Sequence, residues 1–376
     1  MRRKVACGGS TVAAARLGTG LCPALVDRSG RSRERNEGSC TLRASDAITT
    51  IMPPTTALAP IPRAAPPVRA NTALAAGLLG AHLFALLIAP ALAIPAAWQA
   101  ASLAAVALLS PMLWALVHEA IHGLLFPAAR ANRIGGRLLA IAFGAPFRAL
   151  RFAHLRHHRY SRTPWGREEV YDPAAQPRWL AYLFHYLRIT VGLYVAELAM
   201  LFACWLPASF LRRHLSGQSP DLPDGSAGMQ RMLDRDVLGT AGLREIRIDS
   251  IAVLALYAGS MLLYGAHWPW LLGVLGVRAL IASQLDHAPH HGTPLERREY
   301  ALNMHAPSWL RLYLLNFPLH RVHHAYPHLP WTALTKVDNA ASGADIGFFV
   351  AVLRQWRGPI ALEDARRIVA NDRPRG

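Results

Sequence analysis

Three histidine clusters carry the residue types and spacing that could do chemistry: His118-Glu119-Ala120-Ile121-His122, His154-Leu155-Arg156-His157-His158 and His320-Arg321-Val322-His323-His324. On a helix, residues i, i+3 and i+4 share one face, so each cluster is expected to aim two or three imidazoles at one point. Eight imidazoles exceed what one metal ion takes, since structural sites close with four donors and catalytic sites use fewer. Two ions are therefore implied. Imidazole suits iron, zinc, copper and nickel, whereas magnesium and calcium want oxygen. An all-nitrogen pair of sites with no bridging cysteine points to redox iron more than to structural zinc. Cys7, Cys22 and Cys40 precede the apolar part of the chain and Cys204 lies in an apolar segment, so neither a disulfide framework nor a thiolate metal site follows.

The elements that must position these clusters are apolar. Hydrophobic residues make up 52% of the 376 and charged residues 17%, well below the roughly one quarter charged of soluble proteins. Several apolar runs reach membrane-spanning length. The expected class is an all-α integral membrane protein. Its net charge of +17 fits basic cytoplasmic loops under the positive-inside rule. No nucleic-acid partner is expected, because no basic helix interleaved with stacking aromatics stands out.

Residues 72–94 are apolar and uncharged, and at about 1.5 Å per residue would span roughly 34 Å, enough for a bilayer core. Residues 96–117 make a second span and lead into the first histidine cluster. Residues 249–285 form a second hairpin turning at Trp268-Pro269-Trp270, aromatics suited to an interface. The expected architecture is thus four transmembrane helices in two hairpins, plus interfacial helices and a cytoplasmic histidine-box cap. Leu138–Leu150 is too short to span and is assigned to the interface or to a partly buried helix. The segment 179–210 carries His185, Arg188 and Glu197 between basic flanks, and reads as an in-plane or re-entrant hairpin. Between Pro127 and Arg178 arginines far outnumber Glu168, Glu169 and Asp172, which marks the cytoplasmic side, of an inner membrane if the host is bacterial.

Residues 1–51 are rich in Arg, Ser and Gly without apolar periodicity. They read as disordered, as upstream sequence ahead of a start at Met52, or as a targeting peptide, against which Asp27, Glu34, Glu37 and Asp46 count. Pro53 to Pro67 is an extended lead-in. The domain division expected is an N-terminal extension over 1–70, a membrane domain over 71–340 and a C-terminal helical tail over 341–376.

Two stretches carry a family resemblance. Asn316-Phe317-Pro318-Leu319-His320-Arg321-Val322-His323-His324-Ala325-Tyr326-Pro327-His328-Leu329-Pro330-Trp331 resembles the third histidine box of the membrane-bound fatty acid desaturases, a family that extends to related hydroxylases and carotenoid oxygenases. Leu285-Asp286-His287-Ala288-Pro289-His290-His291-Gly292-Thr293 is similar to the place where that family often supplies one further histidine, here His290 with His291 the weaker match. The resemblance covers roughly residues 70–340, close in the boxes and weak between them. It implies two non-haem irons held by His118, His122, His154, His157, His158, His290, His320, His323 and His324, with no catalytic residue beyond these ligands. It also implies O2 as co-substrate and removal of hydrogen from an unactivated C–H of a lipid or acyl chain. That is consistent with the chemistry: an alkyl C–H yields only to an oxidant made from O2, which zinc does not provide, in a site kept from water.

Glu119 and Asp286 are each candidates to orient a ligand imidazole, the bland reading for Glu119 being an interfacial helix residue. Asn316 either reaches a metal through water or caps a helix. Arg156, Arg159, Arg162 and Arg321 beside the boxes either attract an acidic carrier or lipid phosphates, or reflect topology alone. No haem or flavin motif is present, so a separate ferredoxin, rubredoxin or cytochrome with its reductase is expected as electron donor. The main alternative is a lipid or carotenoid hydroxylase or ketolase. A remote one is an intramembrane zinc metalloprotease using His118-Glu119-x-x-His122, a reading that leaves the other two clusters unexplained.

Overall fold

The structure, a computed structural model, describes residues 61–215, 225–295, 298–338 and 346–368. All of these belong to one compact unit, Leu58–Gly376. The readings of residues 1–51 fall outside the described residues, as does the start of the proline-rich lead-in.

The first hairpin is α1 (Val68–Ala91) and α2 (Ala96–Ile121). Both are runs of Ala and Leu, strong helix formers, and Pro95 opens α2 without interrupting it. Next come α3 (Ala129–Phe143) and α4 (Phe147–Tyr160), which meet at 97°. The strand β1 (Val170–Tyr171) precedes α5 (Arg178–Gly192) and α6 (Leu193–Ala203), a pair bent by 76°. Two short helices, α7 (Ala208–Leu215) and α8 (Gly225–Leu233), lead to α9 (Thr240–His267) and α10 (Pro269–His287). The remainder comprises β2 (Met304–His305), α11 (Ser308–Tyr313), α12 (His320–Ala325), α13 (Trp331–Asp338), β3 (Ile346–Gly347), α14 (Phe348–Arg354), β4 (Ile360–Ala361) and α15 (Leu362–Arg366). The strands form two parallel two-stranded sheets, β1 with β4 and β2 with β3.

Three helices, α1, α2 and α9, are long and apolar enough to cross a membrane, or up to five segments if each bent pair is one span. Only 33% of the α1 window and 28% of the α9 window are buried inside the protein. Apolar helices left so open require an apolar solvent. The expected fourth span, α10, does not meet the same criterion. It carries Arg278, Gln284 and Asp286 and packs chiefly against α2 and the bend of α5, with Arg278 fully buried.

One further expectation changes. Leu138–Leu150 is not one interfacial helix but straddles the corner between α3 and α4. Gly144 turns that corner at φ 102°, where a Cβ would lie 2.6 Å from the Tyr194 hydroxyl. The corner's free carbonyls are capped from three other helices: Tyr194 Oη donates to Phe143 O at 2.8 Å and Tyr257 Oη to Ala142 O at 2.9 Å. Arg278 Nη1 donates to Phe143 O at 2.6 Å, and Arg278 Nε to Ser110 Oγ at 3.0 Å. The C-terminal segment packs onto the rest of the protein. It supplies β3 and β4, and its Gln355 is fully buried against Gln284.

Candidate metal centre and adjoining cavity

The sequence places the first box at the end of α2, the second along α4 and the third along α12, while His290 stands in the turns after α10. The fold gathers all nine histidines into two groups. One holds His118, His122, His154, His158 and His323, and the other His157, His290, His320 and His324, with the ligand atoms of each group within 4.8 Å of one another. The two groups abut: the His158 ring stacks on His324 at 4.3 Å.

The second and third boxes are therefore split, against the expectation that each aims at a single point, whereas His118 and His122 of the first box do serve one group. His154 and His158 serve one group and His157 the other, as do His320 and His324 against His323. Helix geometry gives the reason. Positions i and i+4 lie about 40° apart around the axis, whereas neighbours lie about 100° apart.

Whether these groups fit metal ions can be tested on the nitrogens themselves. His154 Nε2 lies 2.9 Å from His122 Nε2 and 3.0 Å from His158 Nε2, and His323 Nε2 is 3.0 Å from His158 Nε2. In the other group His290 Nε2 lies 3.0 Å from both His157 Nε2 and His320 Nε2. A set of lone pairs facing each other at this range is repulsive unless a cation lies between them. An ion about 2.1 Å from each imidazole nitrogen would hold neighbours about 3.0 Å apart at right angles and about 3.4 Å apart at tetrahedral angles. The spacing fits the former. Burial, followed by the neighbouring imidazoles, holds His290, His320, His323 and His324 well below the ordinary histidine range, so they are neutral with lone pairs free near pH 7.

Surrounding groups fix these ligands. Arg162, at φ 63°, donates to the backbone carbonyls of His290, Thr293 and Pro294 at 3.3, 3.0 and 3.2 Å, clamping the turn that carries His290. Its partner is Glu169 at 2.6 Å, both side chains buried. Burial alone would push Glu169 up, and Arg162, with smaller help from His287 and a backbone N–H, offsets it and keeps the carboxyl below the usual carboxylate range.

Glu119, Asn316 and Asp286 make the following contacts. Glu119 is buried and accepts from the Trp331 backbone N–H at 3.2 Å, tying α2 to the start of α13. Asn316, at φ 58°, donates from its amide to Trp331 O at 3.0 Å and so holds the same junction. Asp286 lines a cavity. The protease reading fails on the donor set: His118 and His122 are completed by three more histidines, with no carboxylate in either group.

That cavity, of about 490 Å³, opens onto His154 and His157, one ligand from each group. Trp114, Leu150, Phe184 and Leu187 supply apolar wall, and Glu197, Ser283 and Asp286 supply polar wall. Sequence reasoning missed it because its lining comes from segments far apart in the chain. A further cluster was also missed. His185, His287 and His291 stand with ring centroids 5.2 to 5.8 Å apart, each held by a single acceptor: Gln355 O at 2.8 Å, Gln355 Oε1 at 3.0 Å and Gly358 O at 3.0 Å. Drawn from α5, α10 and a turn, they are joined by Gln355 and Gly358 from far along the chain, and only His287 and His291 stand at a helical spacing.

A largely helical protein with helices apolar enough to cross a membrane and two polyhistidine groups able to hold metal ions has the features of a membrane-bound metalloprotein. The profile of the fatty acid desaturase family matches residues 92–345, and the chain belongs to that family. No curated protein and no solved structure matches it.

Proposed function

We propose that the chain is an O2-dependent lipid desaturase that introduces a double bond into an acyl chain, with two irons held by the nine grouped histidines. The observation that carries this is the cavity onto which both groups open. Bound iron would supply the O2-derived oxidising power that an alkyl C–H requires. The chain's own residues do the rest. His118, His122, His154, His158 and His323 would fix one ion, and His157, His290, His320 and His324 the other. Arg162 holds the His290 turn, and the apolar wall formed by Trp114, Leu150, Phe184 and Leu187 binds the alkyl chain, excludes water and sets which carbon faces the groups. The arginine-rich stretch around α3 and α4 supports a cytoplasmic placement of this end. Electrons would come from a separate carrier. The polar wall at Glu197 and Asp286 favours hydroxylation or ketolation as the second reading, since an oxygenated product would find partners there.

The test is metal analysis of the detergent-purified chain with lipid profiling of expressing cells. About two irons per chain and new unsaturated acyl chains are expected. A single zinc with an unchanged lipid profile overturns the proposal, and oxygenated lipids without unsaturation select the second reading.

A further inference from the structure

On the opposite face of α5 from the cavity lies a second hollow of about 630 Å³, which the desaturase reading does not use. Arg178, Arg354 and Arg357 line it together with Tyr171 and Tyr182, and Asp364 is the one carboxylate among its lining residues. Asp364 is in turn shared with Arg367 at 3.4 Å. Arg354 is half-buried, with one amino group on the His291 carbonyl and its buried Nε without a partner among the described residues. Arg178 lies over the Tyr182 ring at 5.2 Å and donates to its hydroxyl at 3.2 Å. Arg357 is exposed and forms no ion pair among the described residues. The floor is tight: Gly358 stands at φ 103°, and a Cβ there would come within 2.8 Å of the Tyr182 ring.

The rim says at what depth this basic hollow sits. On one side α14 exposes Phe349, Val350 and Leu353, and on the other α5 exposes Trp179 and Leu183. Short helices with apolar faces outward beside arginine and tyrosine are interfacial elements, lying at headgroup level. Guanidinium forks match phosphate oxygens bidentately. The geometry points to a binding site for the phosphate of an anionic membrane phospholipid, held by Arg178, Arg354 and Arg357. The site does not depend on the iron or on the reaction. It is a place where the bilayer surface grips the protein next to α5, whose other face lines the cavity.

Native mass spectrometry of the full-length chain in detergent, titrated with phosphatidylglycerol, tests this. The wild type is expected to bind one lipid, and Arg178→Gln/Arg357→Gln to bind it about tenfold or more weakly, as expected for loss of two charge-assisted contacts. Arg357→Lys, which keeps the charge, should recover part of the loss. Inorganic phosphate at millimolar concentration should compete. Equal retention by the double variant overturns the inference, as does binding of inorganic phosphate without lipid, or variant-sensitive capture of an acidic protein with lipid retention unchanged. Iron content measured on the same samples keeps the two proposals separate, because a chain without iron that still discriminates leaves the lipid site standing while the catalytic reading falls.

Discussion

Two polar inclusions sit within this apolar protein, and they are built in opposite ways. At the α3–α4 corner, Arg278 Nε and Nη1 donate to Ser110 Oγ, two backbone carbonyls and the Tyr257 hydroxyl, with the guanidinium over the Phe143 ring at 5.4 Å. The acceptors of Nε and Nη1 all come from the chain, and only the buried Nη2 has none among the described residues. In the histidine groups, nitrogens confront nitrogens at about 3 Å and His118 Nε2 has no hydrogen-bond partner among the described residues. A buried polar group that the protein satisfies holds the fold together, whereas one that it leaves unsatisfied is waiting for something from outside.

The comparison can be broken most sharply at the second box. His157→Ala and His158→Ala change neighbouring residues that serve different groups. Each is expected to lower activity at least about 100-fold, more than loss of an outer partner costs, and each to remove one of the two ions. Elemental analysis with a spectroscopic signature of the remaining ion checks this. Loss of the same ion from both variants would contradict the split.

Acid is the next probe. His290, His320, His323 and His324 resist protonation in the folded chain, while an unfolded chain takes up protons near pH 6.5. Stability of metal-free protein should therefore be complete above that pH. It should fall as pH drops toward the lowered folded values, by up to about 1.4 kcal/mol per pH unit for each imidazole. Thermal unfolding in detergent between pH 7.5 and 5.5 measures the slope, and a flat profile would refute it.

Arg278→Met should cost about 2–4 kcal/mol, because the carbonyls at the corner lose their donor. The variant should unfold earlier with metal per folded chain unchanged and with the same acid slope. A drop in metal per folded chain would show the corner to be part of the site.

The long helices were legible because lipid demands uniform apolarity along the whole turn, and α1, α2 and α9 have it. α10 falls short of that uniformity, since its apolar run hides Arg278, which is fully buried in the protein. The boxes were legible as helical spacing, but their partition required knowing which elements face them. Gly144 gave no sign in advance that it turns the chain by 97°. His185, His287 and Gln355 meet across long sequence separations, and nothing local announces such a meeting.

The split boxes have a consequence for how the protein matures. On the proposed ligand assignment, α4 and α12 each give imidazoles to both groups, so the first ion to arrive fixes the rotation and register of two helices that the second ion also needs. Its binding free energy is shared between its own ligands and the ordering of its neighbour's. Loading of the intact pair should then be cooperative: in a titration of the wild type with iron the half-charged chain would be scarce, and only a variant with one group ruined would hold a single ion, more weakly than the wild type holds it.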